Sequence, residues 1–389
     1  MAAKDKPYKL YKGGRTRGPV RPLRESLDGG DGKRPKTGGE APQKPRRRRR
    51  WRRIVLLVVL GLIVFMLVWA TLGYLAVNRG VKAANERLPD SARAALSEPN
   101  GSILTTPQNI LLLGADNGGA AADRQGTGRS DSIMIVRTDP DRHQLTYLSL
   151  PRDLYVEIPG RGSDKINAAY AFGGPALAIK TVENLTGIPI NHVMVVDFAT
   201  FPSVIDAVGG ITVNNPTRVL SNPFNCPFKS RERCTQFKGW SFEKGEIELN
   251  GQRALVYARI RENQLDPGES DITRGERQQR VVQGLTDKII GVRGFLRMPF
   301  IGDDVTEPLA MDLSTNELLQ LSWVRWRSSN TLRCRLGGTP TTVNGASVIQ
   351  SSEDNARVVD MVTNPDSAPQ PPPKGQPFAP GCFVGRAGG

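Results

Sequence analysis

From Ile54 to Asn78 the chain runs for 25 residues, IVLLVVLGLIVFMLVWATLGYLAVN, without an Asp, Glu, Lys or Arg. A helix needs roughly 20 apolar residues to cross a hydrocarbon core, so this run reads as a transmembrane helix and the rest of the chain is divided by it. A cleaved signal peptide would be shorter and nearer the start, whereas this run lies behind a 53-residue polar arm. Arg46 to Arg50, Arg52 and Arg53 stand directly before the span. By the positive-inside rule they hold the arm in the cytoplasm, so the chain beyond Arg79 is extracytoplasmic.

The span also explains the charge. The protein carries a formal +15, but residues 1–53 alone hold 19 Lys/Arg and 5 Asp/Glu, and the part beyond the span is close to neutral at +1. A uniformly basic nucleic-acid-binding protein is excluded, and the arm reads as a disordered segment lying on anionic head groups. Only His143 and His192 are available, which removes histidine-rich zinc chemistry. Both stand beside strand-like segments and are expected at the surface or at a sheet edge.

All four cysteines (Cys226, Cys234, Cys334, Cys382) follow the span, where disulfides persist, and none forms a Cys-x-x-Cys pair. Three pairings are possible. Cys226 with Cys234 would close a short loop, and Cys334 with Cys382 would tie down a Pro-rich tail that has no apolar face of its own.

Residues 79–106 are polar and Ala-rich and are expected to form a stalk. From about Pro107, β-type runs (NILLLG, SIMIVRT, QLTYLSL, HVMVVDF, ITV) alternate with helical ones (PALAIKTVENLTG, FPSVIDAVGG, ITRGERQQRVVQGLTDKIIG, TNELLQLSWVRWRS), which predicts a mixed α/β sandwich, a central mixed sheet flanked by helices, over 107–365. RALVYARIR reads as a further strand, and 366–389 as the tail.

Polar residues gather where these segments end. Asp116 closes NILLLGAD; Arg129 and Asp131 precede SIMIVRT; Arg152 and Asp153 follow QLTYLSL; Lys165 and Asn167 come next, in DKINAAYAFGG. Strand ends are where α/β sheets display ligand groups. On a strand, Arg259 and Arg261 would share a face, and two adjacent cations call for an anion. Asp271, Arg274 and Gln278 fall at i, i+3 and i+7, one face of a helix. GTGRSD lacks the Lys-[Ser/Thr] ending of a phosphate-binding loop. A single Arg–Asp pair, taken alone, is ordinarily a structural ion pair.

Taken in order, NILLLGAD, GRSDSIMIV, SLPRD, DKINAAYAFGG, VDF…DAVGGI and LNGQRALVYARIR…D..R..RQQ resemble the LytR-CpsA-Psr family, membrane-anchored enzymes that attach glycopolymers to bacterial cell wall. Two departures stand out: Asn117 replaces an arginine common in the family, and the segment between Arg261 and Asp271 is longer. The resemblance implies a polyprenyl-pyrophosphate-linked glycan as donor, a peptidoglycan acceptor hydroxyl and release of polyprenyl phosphate. Arg129, Arg152, Arg259, Arg261 and Arg274 would clamp the pyrophosphate, with Lys165, Asn167 and Gln278 as further substrate contacts. Asp116 and Asp131 would hold Mg²⁺ or Mn²⁺, and Asp271 or Asp153 would orient or deprotonate the acceptor. A pyrophosphate lipid hydrolase would use the same residues. A regulator acting through nucleic acid fits poorly, since the arm and the motifs lie on opposite sides of the membrane.

Overall fold

The computed structural model describes residues 46–115, 128, 130–266, 271–328 and 330–386. The chain forms two units, up to Leu60 and from Gly61 onward, and the second holds every strand described below. In chain order the elements are α1 (Arg46–Arg87), α2 (Asp90–Arg93), β1 (Asn109–Ala115), β2 (Ser130–Asp139), β3 (Gln144–Leu150), β4 (Leu154–Ile158), β5 (Gly162–Lys165), α3 (Ile166–Thr186), β6 (His192–Asp197), α4 (Phe201–Ala207) and β7 (Ile211–Asn215). There follow β8 (Val219–Leu220), α5 (Arg231–Thr235), β9 (Ser241–Phe242), β10 (Gly245–Leu249), α6 (Gly251–Arg259), α7 (Asp271–Ile290), α8 (Val292–Thr306), β11 (Leu309–Met311), α9 (Thr315–Arg327), β12 (Asn330–Arg335), β13 (Gly338–Val343), β14 (Ala346–Ser351), α10 (Asn355–Thr363) and β15 (Gly381–Arg386).

Helix α1 is long and apolar enough to cross a membrane, with a mean hydropathy of 3.0 over its most apolar window. Its last turns belong to the folded unit. Val81 and Ala84 are buried in one core cluster and Leu88 and Ala92 in another, so residues 79–106 do not form a separate stalk. The apolar positions among the polar ones account for this: Val81, Ala84 and Leu88 recur at helical spacing and bury one side of the helix.

The main sheet is mixed, in the order β11-β6-β1-β2-β3-β12-β15. β1 runs parallel to β6 and β3 parallel to β12, while β2 pairs antiparallel with both β1 and β3. Period-two alternation assigns its two faces: Leu111 and Leu113 enter the cluster that includes α3, and Ile110 and Leu112 the one that includes the end of α1 and α9. A third cluster is built under α4, α6 and α7 from Ile205, Ala254, Tyr257 and Val281. Most apolar residues of α3 and α4 are packed in these clusters, while Phe172 of α3 is 45% exposed.

Three readings of the sequence change. RALVYARIR is helical as far as Arg259, because Asn250 after β10 caps α6, its Oδ1 accepting from Arg253 N at 2.9 Å. Gly251 at the first position lets that helix pack on α4: a Cβ there would sit 2.0 Å from the Pro202 carbonyl oxygen. His192 is buried, not superficial, with Nδ1 2.6 Å from Asp312 Oδ2 and Nε2 2.9 Å from Gln108 Oε1. The tail ends in β15, which completes the sheet against β12. Both expected disulfides are present, Cys226–Cys234 across a sequence separation of 8 and Cys334–Cys382 across 48, the latter linking directly opposed residues of β12 and β15.

Candidate active site

The C-terminal ends of the parallel strands β1 and β3 meet the start of β2, and there Asp131, Arg152, Asp153 and Lys165 form one chain of charges. Lys165 Nζ donates to Asp153 Oδ1 at 2.8 Å, Arg152 Nε to Asp153 Oδ2 at 3.3 Å, and Arg152 Nη1 to Asp131 Oδ1 at 2.5 Å. The fold produces this because Pro151 ends β3, so Arg152 and Asp153 turn across the sheet end, while Lys165 sits at the N-cap position of α3. Asn167 is buried in the first turn of that helix, where its main-chain N donates to Arg152 O at 3.2 Å. Burial by itself would raise the Asp153 carboxyl, but the Lys165 hydrogen bond and the charges of Arg152, Lys165 and Arg274 outweigh it and hold the group below the ordinary Asp value. A carboxylate held below the ordinary Asp value is a poorer proton acceptor than a free one.

Helix α7 supplies the opposite wall. The spacing that placed Arg274 and Gln278 on one helical face holds: both are buried and line the same pockets. Arg274 Nη2 donates to Asp131 O at 2.8 Å and Gln278 Nε2 to Ala258 O at 3.4 Å. Asp271 is the first residue of α7, and its side chain lies outside the described residues, as do Arg129 and Asp116.

Arg259 and Arg261 do not share a strand face. Arg259 ends α6, Ile260 is extended (φ −63°, ψ 127°) and turns into the core at 1% exposed, and Arg261 follows it. This helix end nevertheless directs both arginines to one cavity of about 340 Å³, which Asp131, Arg274 and Gln278 also line. One side of the cavity is apolar, with Phe198, Phe224 and Ile260. Phe198 reaches it by lying over Gly114, where a Cβ would approach the ring to 2.5 Å.

Sequence reasoning missed Arg277. Its Nη2 donates to Ile260 O at 2.9 Å, fixing the link between the two pocket arginines. The signal was present, since Arg277 stands three residues after Arg274 on a helix whose polar residues turn inward. It also missed Asn222 and Glu262 at the rim, joined at 2.6 Å.

Among the described residues no group of three or more His, Cys, Asp and Glu could hold a metal ion. The one described member of the expected metal pair, Asp131, faces the Arg152 guanidinium.

The LytR_cpsA_psr family pattern matches residues 74–363. The chain belongs to this family. Its relatives include the polyisoprenyl-teichoic acid–peptidoglycan teichoic acid transferase TagU of Enterococcus faecalis, 38% identical over 217 residues, which make up 56% of this chain and 65% of that protein. TagU of Bacillus subtilis is 32% identical over 254 residues, 64% of this chain and 74% of that one. Among solved structures, TagT bound to LI-WTA aligns with a TM-score of 0.52 and 27% identity, covering 68% of this chain and 92% of that one. TagV of B. subtilis aligns at 0.52 and 30%, covering 66% and 95%. The match to the family begins within α1, in keeping with the burial of the helix end in the LytR_cpsA_psr core.

Proposed function

We propose that the protein is a membrane-anchored phosphotransferase that attaches a polyprenyl-pyrophosphate-linked glycopolymer to peptidoglycan through a phosphodiester bond. The observation that carries this reading is the convergence of Arg259, Arg261 and Arg274 with the neutral donor Gln278 on one cavity that has an apolar side. A pyrophosphate diester bears two negative charges, and its transfer asks chiefly for positioning and neutralisation of charge. Planar guanidinium groups donate to such oxygens in pairs. The teichoic acid named as the cargo of the TagU relatives belongs to the same substrate class.

In the reaction the acceptor hydroxyl oxygen bonds to the sugar-side phosphorus and the bridging P–O bond breaks. Polyprenyl monophosphate leaves with that electron pair, and the hydroxyl proton passes to a carboxylate. Arg259, Arg261 and Arg274 hold the phosphate oxygens, with Arg129 assigned the same role, and Arg152 keeps Asp131 at the rim. With Asp153 pinned between two cations, Asp271 is the better candidate for the proton acceptor. The oxygen chemistry of Asp131 and Asp116 suits a hard cation, and Mg²⁺ or Mn²⁺ there would neutralise charge on the transferred phosphate. The anchor is α1, with residues 1–53 cytoplasmic and the LytR_cpsA_psr unit outside.

The test is transfer of labelled lipid-linked glycan to peptidoglycan by the full chain in nanodiscs. Arg274→Gln is expected to lower kcat/KM by about 100-fold or more, the loss typical of an unsupported charge in a desolvated site. Turnover is expected to cease in excess chelator and return with Mg²⁺. A folded Arg274→Gln protein with wild-type turnover overturns the clamp, and chelator-resistant turnover overturns the metal assignment.

A further inference from the structure

Helix α8 leaves two large apolar side chains uncovered. Phe300 is 73% exposed and Leu296, one turn before it, 47%, so the pair forms a stripe at i and i+4. The apolar run of α1 lies beside that stripe. Phe65 stacks on Trp69 with ring centroids 5.5 Å apart, and Trp69 meets Phe300 edge to face, again at 5.5 Å. An aromatic surface thus passes from the span to α8 through these three rings. The one charged residue inside the stripe, Arg297, turns toward α4, its Nη1 donating to Ala207 O at 3.5 Å.

Small residues bring the two helices together. Gly73 faces Met298 and Pro299, Gly302 faces Ala76 and Val77, and Gly80 faces Thr306, so α1 and α8 run side by side in the same direction. The contact is tight, since a Cβ on Gly302 would sit 2.8 Å from Val77 N. The level of α8 can therefore be read against the span. Roughly 20 residues of the apolar run, counted from Ile54, fill a hydrocarbon core, which puts its outer edge near Gly73. Met298 and Pro299 stand at that edge, and Phe300 reaches Trp69 just within it. Beyond the edge both helices become charged together: Arg79, the first charged residue after the run, pairs with Asp303 at 3.3 Å.

We propose that the Leu296 and Phe300 face of α8 lies in the outer leaflet, at the boundary of head groups and acyl chains, as a second membrane contact beside the span. The occupant of the face is lipid. An apolar helix face of this kind sinks about 5–10 Å into that boundary, the depth at which tryptophans such as Trp69 also settle. The proposal rests on α1 being the membrane anchor. Because α8 is packed tightly on α1, this second contact holds the folded unit against the bilayer in one orientation, where a flexible stalk would let it swing.

The experiment uses the full chain in liposomes, with a nitroxide attached through Leu296→Cys, Phe300→Cys, Leu67→Cys or Val384→Cys; the four native cysteines are held in disulfides. Collision of the label with oxygen, which concentrates in lipid, is compared with its collision with a water-soluble nickel chelate. The oxygen-to-nickel ratio at positions 296 and 300 is expected to approach that at 67 in the span, and to exceed that at 384 on the edge strand β15 by about 5-fold or more. Water-like ratios at 296 and 300 with a lipid-like ratio at 67 overturn the docking and leave the anchor standing. A water-like ratio at 67 overturns the anchor reading, and the docking falls with it. Little collision with either reagent at 300, with spin–spin broadening between labels, means that a second copy of the chain covers the face and overturns the lipid assignment.

Discussion

Two clusters of charge flank α7, and they are balanced differently. At the sheet end Lys165, Asp153, Arg152 and Asp131 alternate in sign, two cations against two carboxylates, each contact made by a neighbour of opposite charge. Across the helix, Arg280 and Arg335 share Glu276, and Arg333 donates to Gln283 Oε1. A balanced chain in a partly desolvated place holds its own geometry, because every charge already has its counter-charge. The first cluster therefore reads as scaffolding for the reaction cavity, and in the second two guanidinium groups lean on one carboxylate.

The largest expected effect concerns the covalent tie behind the second cluster. Cys334 stands directly before Arg335, and its bond to Cys382 spans 48 residues. By the chain-entropy relation, replacing both by Ala should cost about 4 kcal/mol of stability, against about 2.5 kcal/mol for the Cys226–Cys234 pair. Denaturant unfolding of the two double variants compares them directly. Equal losses would mean that the tail docks without its disulfide.

Next in size is the break in the balanced chain. Asp153→Ala leaves Arg152 and Lys165 without their shared carboxylate, and with all three side chains largely buried the loss should be about 2–3 kcal/mol. The contrasting measurement is Arg280→Gln, which removes repulsion and should leave the ligand-free protein as stable as wild type or up to about 1 kcal/mol more stable. If both substitutions destabilise alike, the distinction between the clusters fails.

The smallest effect is in pH dependence. The folded state holds the Asp153 carboxyl below its unfolded value near 3.8, so the unfolded chain binds its proton first as pH falls. Its stabilisation is complete above that value and disappears as pH drops through the lower folded one. Asp287 behaves oppositely: burial outweighs the Arg325 charge and hydrogen bond and raises its pKa, so its contribution is present below the unfolded value and lost as pH rises through the folded one. Stability curves of Asp153→Asn and wild type should therefore converge at the acid end and separate above about pH 4.

Much of the site was legible from residues alone. Arg274 and Gln278 were found because helical periodicity survives packing, and Arg152 with Asp153 because they follow the apolar run QLTYLSL. RALVYARIR was misread because its aliphatic and aromatic residues satisfy a strand as well as a short buried helix; the cap at Asn250 decides between them. The arginines beside Glu276 escaped notice because Arg280 lies more than 50 residues before Arg335, and no local pattern announces that α7 and β12 pack together.

The sequence by itself determined the division of the chain by an apolar span, the concentration of charge before it, the alternation of strands and helices, and the family. The first three follow from composition and from periods of two and 3.6 residues, which are local properties of the chain, and the family from the resemblance of its ordered motifs. Only the tertiary structure decided that Arg259 and Arg261 meet across a helix end, that Asp153 is pinned between two cations, and that Arg280 of α7 and Arg335 of β12 share one carboxylate. Such facts depend on which elements become neighbours. Burying many apolar side chains at once settles that, and no polar residue's own position in the chain can.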